Sequence, residues 1–443
     1  MIKRIGYYIL TLIIILAVII FFLHREKEYP NESNRTVYIK KNSSGFQLIR
    51  NGKPFYIKGA SGKSYIKELA EAGGNTLRLY DTINLQKTLD EAHKYNIAVI
   101  VDIPMPRFRF NQRSYLDSAY KKDTRTKVVT LVNKFKDHPS LLFWNLGNEL
   151  IYPIPFNKVG KNFVDFINEL IDLIHQEDIN HLVGTTIAGP SLKQSFLINR
   201  YSPNFDLVGY NAFSMIKKVK LNNRKISFLS STVPYYISEW GINGPWEASK
   251  NKWMSILEPS STEKGEHYKT IFNSSIRTDD QCLGSLAFYW GNKTEGTPTW
   301  FNIFDENGRK SQIYYSLAEV WENTTLNTTP PQIEEMQLDG KTDKNLVFKV
   351  GEMVSAEVLI EERSYQNLQF KWVMFENGWG IKKWTYSEEL NEFVFPVKVT
   401  DKNKIKVRMP KKEGAYRLFV YVYDTSNNFA TANIPFYVFN QNE

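Results

Sequence analysis

Cysteine is nearly absent: the 443 residues include one, Cys282, so the chain can form no internal disulfide and its redox compartment is unreadable. The six histidines, His24, His93, His138, His175, His181 and His267, are scattered without the spacing of a metal-ligand set. There is also no Gly-x-Gly-x-x-Gly and no phosphate-binding loop, so neither a metal nor a cofactor is expected. The formal charge of +9 is spread out, without a basic block or an RNA-binding signature. It reads as solubility and attraction to an anionic surface, and nucleic acid is not an expected partner. Nothing indicates bulk disorder either. With 42% hydrophobic and 14% aromatic residues the chain can bury a large core, and its length suits two or three domains.

One long uncharged run is present. Ile5 to Leu23 is 19 residues without a charge, preceded by Lys3 and Arg4. That length can cross a bilayer as a helix, whereas a secretory apolar core is usually about 7 to 15 residues. No Ala-x-Ala-like site follows, only His24-Arg25-Glu26-Lys27-Glu28, and no cysteine lies near for lipoprotein processing. The expectation is an uncleaved membrane anchor over 1–23 and a polar tether over 24–36. Two basic residues precede the span, and Arg25 and Lys27 follow it, so the charge rule barely decides its orientation.

The chain is organised around Leu141 to Leu150, Leu-Leu-Phe-Trp-Asn-Leu-Gly-Asn-Glu-Leu. Its first half is the continuous apolar run of a strand buried on both faces, and Glu149 follows Asn148 where such a strand should emerge. A second run of this form, Tyr235-Tyr236-Ile237-Ser238-Glu239-Trp240-Gly241, carries Glu239. Either glutamate alone reads as a solvated or helix-capping residue. Around them the pattern alternates. Strands are expected at Phe55–Ala60, Thr76–Tyr80, Ile97–Ile103, Leu141–Leu150, Leu182–Ile187, Leu207–Phe213, Tyr235–Ile242 and Leu283–Trp290. Helices are expected between them, among them Ser64–Ala72, Leu85–Tyr95, Thr124–Phe135, Asn162–Ile174, a basic Ile216–Leu229 without a clear apolar stripe, and Gln312–Glu322. Eight alternations over 37–322 fit an α/β fold of the (β/α)8 kind, whose C-terminal mouth carries the chemistry. Ahead of the first strand, Asn51-Gly52 marks a hairpin.

Asn, Thr and a Pro-Pro pair over 323–331 read as a linker. Over 332–443 the period changes to two. Met353–Ile360, Leu368–Met374, Phe393–Val399, Lys404–Met409, Tyr416–Tyr423 and Ala430–Val438 suggest a C-terminal all-β sandwich. Trp372 would be its core tryptophan and Gly414-Ala415-Tyr416 its tyrosine corner, features that resemble immunoglobulin-like or fibronectin-type modules. Trp379 and Trp384 suit packing or an interface better than sugar stacking, and the domain is given no chemistry.

Strand, Asn-Glu, three further strand and helix units, then strand, Glu-Trp-Gly resembles the retaining glycoside hydrolases built on (β/α)8 barrels, the clan that holds glycosidase families 2 and 5. The resemblance covers about 37–322, is specific at the two glutamate motifs and loose elsewhere. It implies that Glu149 is the acid/base and Glu239 the nucleophile, their carboxyls about 5 to 5.5 Å apart, with retention of anomeric configuration. It implies that Arg78 lies near the nucleophile and keeps it ionised, with Tyr80 beside it in the substrate site. Asn148 would hydrogen-bond the 2-hydroxyl of the sugar at the cleaved bond. Trp290 would be the platform under that sugar, or else a core tryptophan. Strand six departs from the pattern: after Asn211 the usual tyrosine is Phe213, so Tyr210 is the candidate for the hydroxyl that touches the nucleophile. Trp246 and Trp253, and Phe108 and Phe110, lie on mouth loops and are either sugar subsites or loop packing.

The expectation is therefore a membrane-anchored retaining β-glycosidase acting on a β-linked polysaccharide or oligosaccharide of the envelope or outside the cell. Family 2 exo-enzymes usually carry a jelly-roll domain before the barrel, where this chain has a tether. The run Asn75-Thr76-Leu77-Arg78-Leu79-Tyr80-Asp81 also resembles membrane-linked β-1,3-glucan transglycosylases, so sugar transfer is one alternative. A non-catalytic polysaccharide-binding or assembly protein is the other.

Overall fold

The computed structural model describes residues 34–43, 45–229, 233–326, 329–361, 367–377 and 398–440, together with Thr11 and Ile14. The expected membrane span apart from Thr11 and Ile14, and most of the tether, lie outside the described residues, as do Trp379 and Trp384. Among the described residues no helix is long and apolar enough to cross a membrane. Two compact units divide the chain: Met1–Ala70, Gly74–Trp240 and Ser275–Ala287 form one, and Glu71–Gly73, Gly241–Ser274 and Phe288–Glu443 form the other.

The first unit holds the closed parallel barrel except for residues 288–290, the end of its eighth strand. Its strands are β1 (Ile57–Gly62), β2 (Thr76–Leu79), β3 (Ala98–Ile103), β4 (Leu141–Asn148), β5 (Leu182–Ala188), β6 (Leu207–Asn211), β7 (Tyr235–Trp240) and β8 (Cys282–Trp290), with β8 closing onto β1. Strands such as Ala98–Ile103 are buried at every position, which is why they read as unbroken apolar runs rather than alternations. The Asn51-Gly52 turn forms as expected, with both residues at positive φ. Its second strand is only Lys53–Pro54, because proline has no N–H with which to extend the ladder. Sequence reading missed the longer partner: Val37–Asn42 pairs antiparallel with Gly45–Arg50. Val37, Ile39 and Leu48 of this sheet share one core with Ile57, Ala98, Leu182, Leu207 and Tyr236 at the N-terminal ends of the barrel strands. The hairpin thus plugs the bottom and leaves the opposite end for chemistry.

Between β3 and β4 runs helix α1 (Ser118–Phe135), which starts six residues before the expected Thr124. Asp117 causes this by accepting hydrogen bonds from the Ala119 and Tyr120 amides as N-cap. Helix α2 (Lys158–Glu177) buries Phe163, Phe166, Ile167, Leu170 and Ile174 on the expected face. The basic segment after β6 is a 3-10 turn, Ile216–Lys218, followed by α3 (Val219–Leu229).

The second unit holds α4 (Ser261–Ile271), α5 (Gln312–Glu322) and a two-sheet β-domain. One sheet orders Ile333–Leu338, Met353–Ile360 and Lys404–Arg408; the other orders Leu346–Lys349, Phe429–Phe439, Gly414–Tyr423, Gln369–Glu376 and Lys398–Thr400. Trp372 is buried in their common core, and the Tyr416 hydroxyl donates to the Lys412 carbonyl at 2.9 Å. Ile333–Leu338 and Leu346–Lys349 were not expected from sequence, because each mixes charged and apolar residues too evenly to stand out from a turn-rich stretch.

Candidate active site

Glu149 directly follows β4 and Glu239 is the penultimate residue of β7, so both stand at the C-terminal mouth. Local backbone irregularity aims each of them. Pairing of β4 with β5 shifts register between Asn145 and Asn148, and pairing of β7 with β6 shifts between Ile237 and Glu239. Such bulges re-aim side chains at barrel rims. At the first site Gly147 takes φ 76°, and a Cβ there would lie 2.4 Å from the Leu150 side chain. Glu149 itself sits at φ 53°, a left-handed conformation that a non-glycine residue adopts only when its surroundings hold it, while its amide donates to the Thr186 carbonyl at 2.9 Å.

Arg78 on β2 is the hub and is fully buried. Its guanidinium binds Asp102 of β3 through two bonds, Nε to Oδ1 at 3.1 Å and Nη2 to Oδ2 at 2.7 Å. Nη1 donates to Glu239 Oε1 at 3.2 Å, and Nη2 donates to Asn148 Oδ1 at 2.9 Å. Burial alone would lower the Arg78 pKa, but Asp102 and Tyr80 beside it raise it well above the ordinary value, so the cation is fixed. Burial pushes the Asp102 carboxyl up, with Arg78 opposing.

The Tyr80 hydroxyl donates to Glu239 Oε1 at 2.9 Å, and the Arg78 guanidinium lies over its ring at 4.7 Å. Burial first, then the Glu239 charge, push this hydroxyl well above the ordinary tyrosine value. It therefore stays protonated and able to donate. Asn148 Oδ1 also accepts from Thr186 Oγ1 at 2.8 Å and from Asn211 Nδ2 at 3.2 Å. Three donors fix the orientation of the amide and leave its NH2 as the end that can donate to a ligand.

Asn211, opposite Glu239 in the β6–β7 register, also donates to Glu149 Oε1 at 2.9 Å, while its own Oδ1 accepts from Ser238 Oγ at 2.8 Å. One unbroken set of hydrogen bonds thus runs from Glu149 through Asn211, Asn148 and Arg78 to Glu239. The other oxygen of Glu149 is held by Arg107 Nη2 at 2.6 Å.

Glu149, Glu239, Arg78, Tyr80 and Asn148 are therefore brought together in the first unit, and two other expectations are corrected. Tyr210 does not touch Glu239. Successive strand residues face opposite ways, and since Asn211 points into the barrel, the Tyr210 hydroxyl points outward to Asn223 Oδ1 at 2.8 Å and Ser195 Oγ at 3.2 Å. The hydroxyl on the nucleophile candidate is that of Tyr80. Trp290 is fully buried, its ring packed with those of Phe304, Tyr314 and Trp321 in the second unit, so it offers no open face to a sugar. Trp246, in that unit too, is 43% exposed and tilted against Phe301. Trp253 packs near Tyr437, and Phe108 packs on Phe163, whereas Phe110 is exposed.

Sequence reading missed Asp102, Arg107, Thr186 and the bridging role of Asn211. Asp102 had left a signal, as the one charge in an otherwise apolar, fully buried strand that demands a partner. Arg107 sits on a loop and left none. Among the described residues no group of three or more His, Cys, Asp or Glu side chains is placed to hold a metal ion.

No protein-family model matches the chain. A β-glucuronidase of Bacteroides fragilis is 29% identical over 112 residues, 25% of this chain and 15% of that protein. A putative β-glucuronidase of Formosa agariphila is 21% identical over 242 residues, 46% of this chain and 28% of that protein. Among solved structures, a calcium-binding mutant of β-glucuronidase 2 from Bacteroides uniformis superposes with a TM-score of 0.50 at 13% identity, over 91% of this chain and 48% of that one. At that identity the likeness speaks for the fold alone, and the chain spans less than half the length of each of these proteins. Over part of its sequence, then, the chain is similar to β-glucuronidases, and its parallel barrel fold is similar to that of a solved one.

Proposed function

We propose that the chain is a retaining β-glycosidase. The observation that carries this reading is the hydrogen-bonded set joining Glu149 and Glu239 across the mouth of one closed barrel. Glu239, facing the fixed Arg78 cation, is the nucleophile: its carboxylate forms an ester bond to the anomeric carbon as the glycosidic C–O bond breaks. Glu149, more open to solvent, gives its proton to the leaving oxygen. In the second step water attacks the anomeric carbon, Glu149 takes a proton from that water, and Glu239 is released. Tyr80 and Arg78 hold Glu239 in place through its Oε1, and the NH2 of Asn148 serves the 2-hydroxyl of the sugar.

The similarity to β-glucuronidases supports a β-linked substrate and favours a uronide among the sugars to test. The uncharged stretch from Ile5 to Leu23 supports an N-terminal membrane anchor, with the barrel outside the cytoplasm and a β-glycan of the envelope or surroundings as substrate. The test is incubation with β-glucosides, β-galactosides, β-mannosides and β-glucuronides, reading the first-formed anomer by proton NMR. A β product is expected, and an α first product or no turnover on any of them would sink the proposal.

A further inference from the structure

The loop from Pro104 to Leu116, between β3 and the Asp117 cap of α1, reads Pro-Met-Pro-Arg-Phe-Arg-Phe-Asn-Gln-Arg-Ser-Tyr-Leu: three arginines and no acidic residue. Arg107 is paired with Glu149, both side chains partly open to solvent at 36% and 21% exposure. Arg109 and Arg113 are exposed and have no carboxylate partner among the described residues. The loop is built rather than loose. The Phe108 amide donates to the Leu150 carbonyl at 3.2 Å, and the Phe108 ring packs edge-on against Phe163 of α2 at 5.1 Å.

Glu149 is held by donors only, Arg107 on Oε2 and the Asn211 amide on Oε1. A carboxyl that is to deliver a proton carries it on one of these oxygens, and neither a guanidinium nor an NH2 can accept it. Opening of the Arg107 pair frees Oε2 to carry and deliver the proton. Arg107, once released, is a cation beside the leaving group and can meet an anion there.

We infer that the leaving-group side of this site takes a sugar bearing an anionic group, a carboxylate or a sulfate ester, and that Arg107 moves from Glu149 to that anion. This rests on Glu149 being the acid/base, since the leaving group lies beside the acid. Arg107 is a positioning residue: it links substrate recognition to the freeing of Glu149 for its proton. Arg109 and Arg113 add attraction for the same acidic chain.

The test uses matched aryl β-glycosides with 4-carboxyphenyl, 4-sulfophenyl and 4-carbamoylphenyl leaving groups, on whichever sugar the full chain cleaves fastest. The wild type is expected to show kcat/KM at least about tenfold higher for a charged aryl group than for the carbamoyl one, the size of one charge-assisted hydrogen bond. The ratio should fall with added salt and approach one in Arg107→Gln, with partial recovery in Arg107→Lys. Because the ratio is internal to each variant, a loss of folded protein does not alter it. Arg109→Gln combined with Arg113→Gln should lower the ratio less. Preference for the carboxylate or for the sulfonate, which stands in for a sulfate ester, identifies the anion, and either supports the inference. A wild-type ratio near one, or a ratio untouched by Arg107→Gln, overturns it while leaving the hydrolase reading intact. No turnover of any aryl glycoside overturns both.

Discussion

The two glutamates at the barrel mouth differ in a way that suits the two tasks proposed for them. The Glu239 side chain is 8% exposed and lies against a fixed cation and a hydroxyl, whereas Glu149 is 21% exposed and lies against a movable arginine and an amide. A group that must stay ionised and still is best placed among buried, pre-oriented donors. One that must lose and regain a proton each turnover needs solvent and a partner that can leave. Under the proposed mechanism, environment more than residue type separates the two roles, as in other sites with two carboxyls.

The largest expected effect tests this division directly. Glu239→Ala should lower turnover by at least about a thousandfold on every substrate, while Glu149→Ala should lose comparable activity only on poor leaving groups and retain much more on activated ones such as 4-nitrophenyl glycosides. Equal losses on both kinds of leaving group in the two variants would break the comparison. Next comes Arg78→Met, which leaves Asp102 buried without its cation. It should destabilise the fold by roughly 3 to 5 kcal/mol, read from the shift in the urea midpoint, besides abolishing activity. Tyr80→Phe removes one hydrogen bond from Glu239 and should cut kcat about ten- to a hundredfold with little change in the melting temperature. Tyr210→Phe should leave kcat alone and change only stability.

The smallest effect concerns a carboxylate outside the mouth. Asp178 is almost fully buried, and it receives the Trp144 indole N–H at 2.8 Å and contacts His181 Nδ1 at 2.9 Å. Burial alone would raise its pKa, but these hydrogen bonds outweigh it and hold the carboxyl below the ordinary aspartate range. A depressed folded-state value contributes stability that is present above the unfolded value of about 3.9 and lost as pH falls through the folded one. Wild-type stability should therefore decline more steeply below about pH 4 than that of Asp178→Asn, measured by urea midpoints across pH.

Much of the barrel was legible because a strand buried on both faces must be apolar at every position, and eight such runs separated by helical periods leave few alternatives. Met353–Ile360 and Gln312–Glu322 were read to the residue. The start of α1 was not, since the capping by Asp117 outweighed a weak apolar stripe. In the site, the two glutamates were visible as carboxylates closing apolar runs, whereas Arg78 and Asn148 were picked out by the resemblance to the glycosidase clan. Tyr210 and Trp290 were misplaced because side-chain direction at a strand end depends on register, and aromatic residues serve core and surface equally well.

By itself the sequence determined the alternation of elements, the polar residues that interrupt buried strands and the two-glutamate chemistry they suggest, because burial and periodicity act along the chain. Only the tertiary structure decided that Arg78 faces Asp102 and Glu239 together, that Tyr80 and not Tyr210 reaches Glu239, and that Arg107 meets Glu149. Those pairings depend on barrel closure, bulge position and loop path, which bring distant segments within hydrogen-bond reach and leave no local trace in the order of residues.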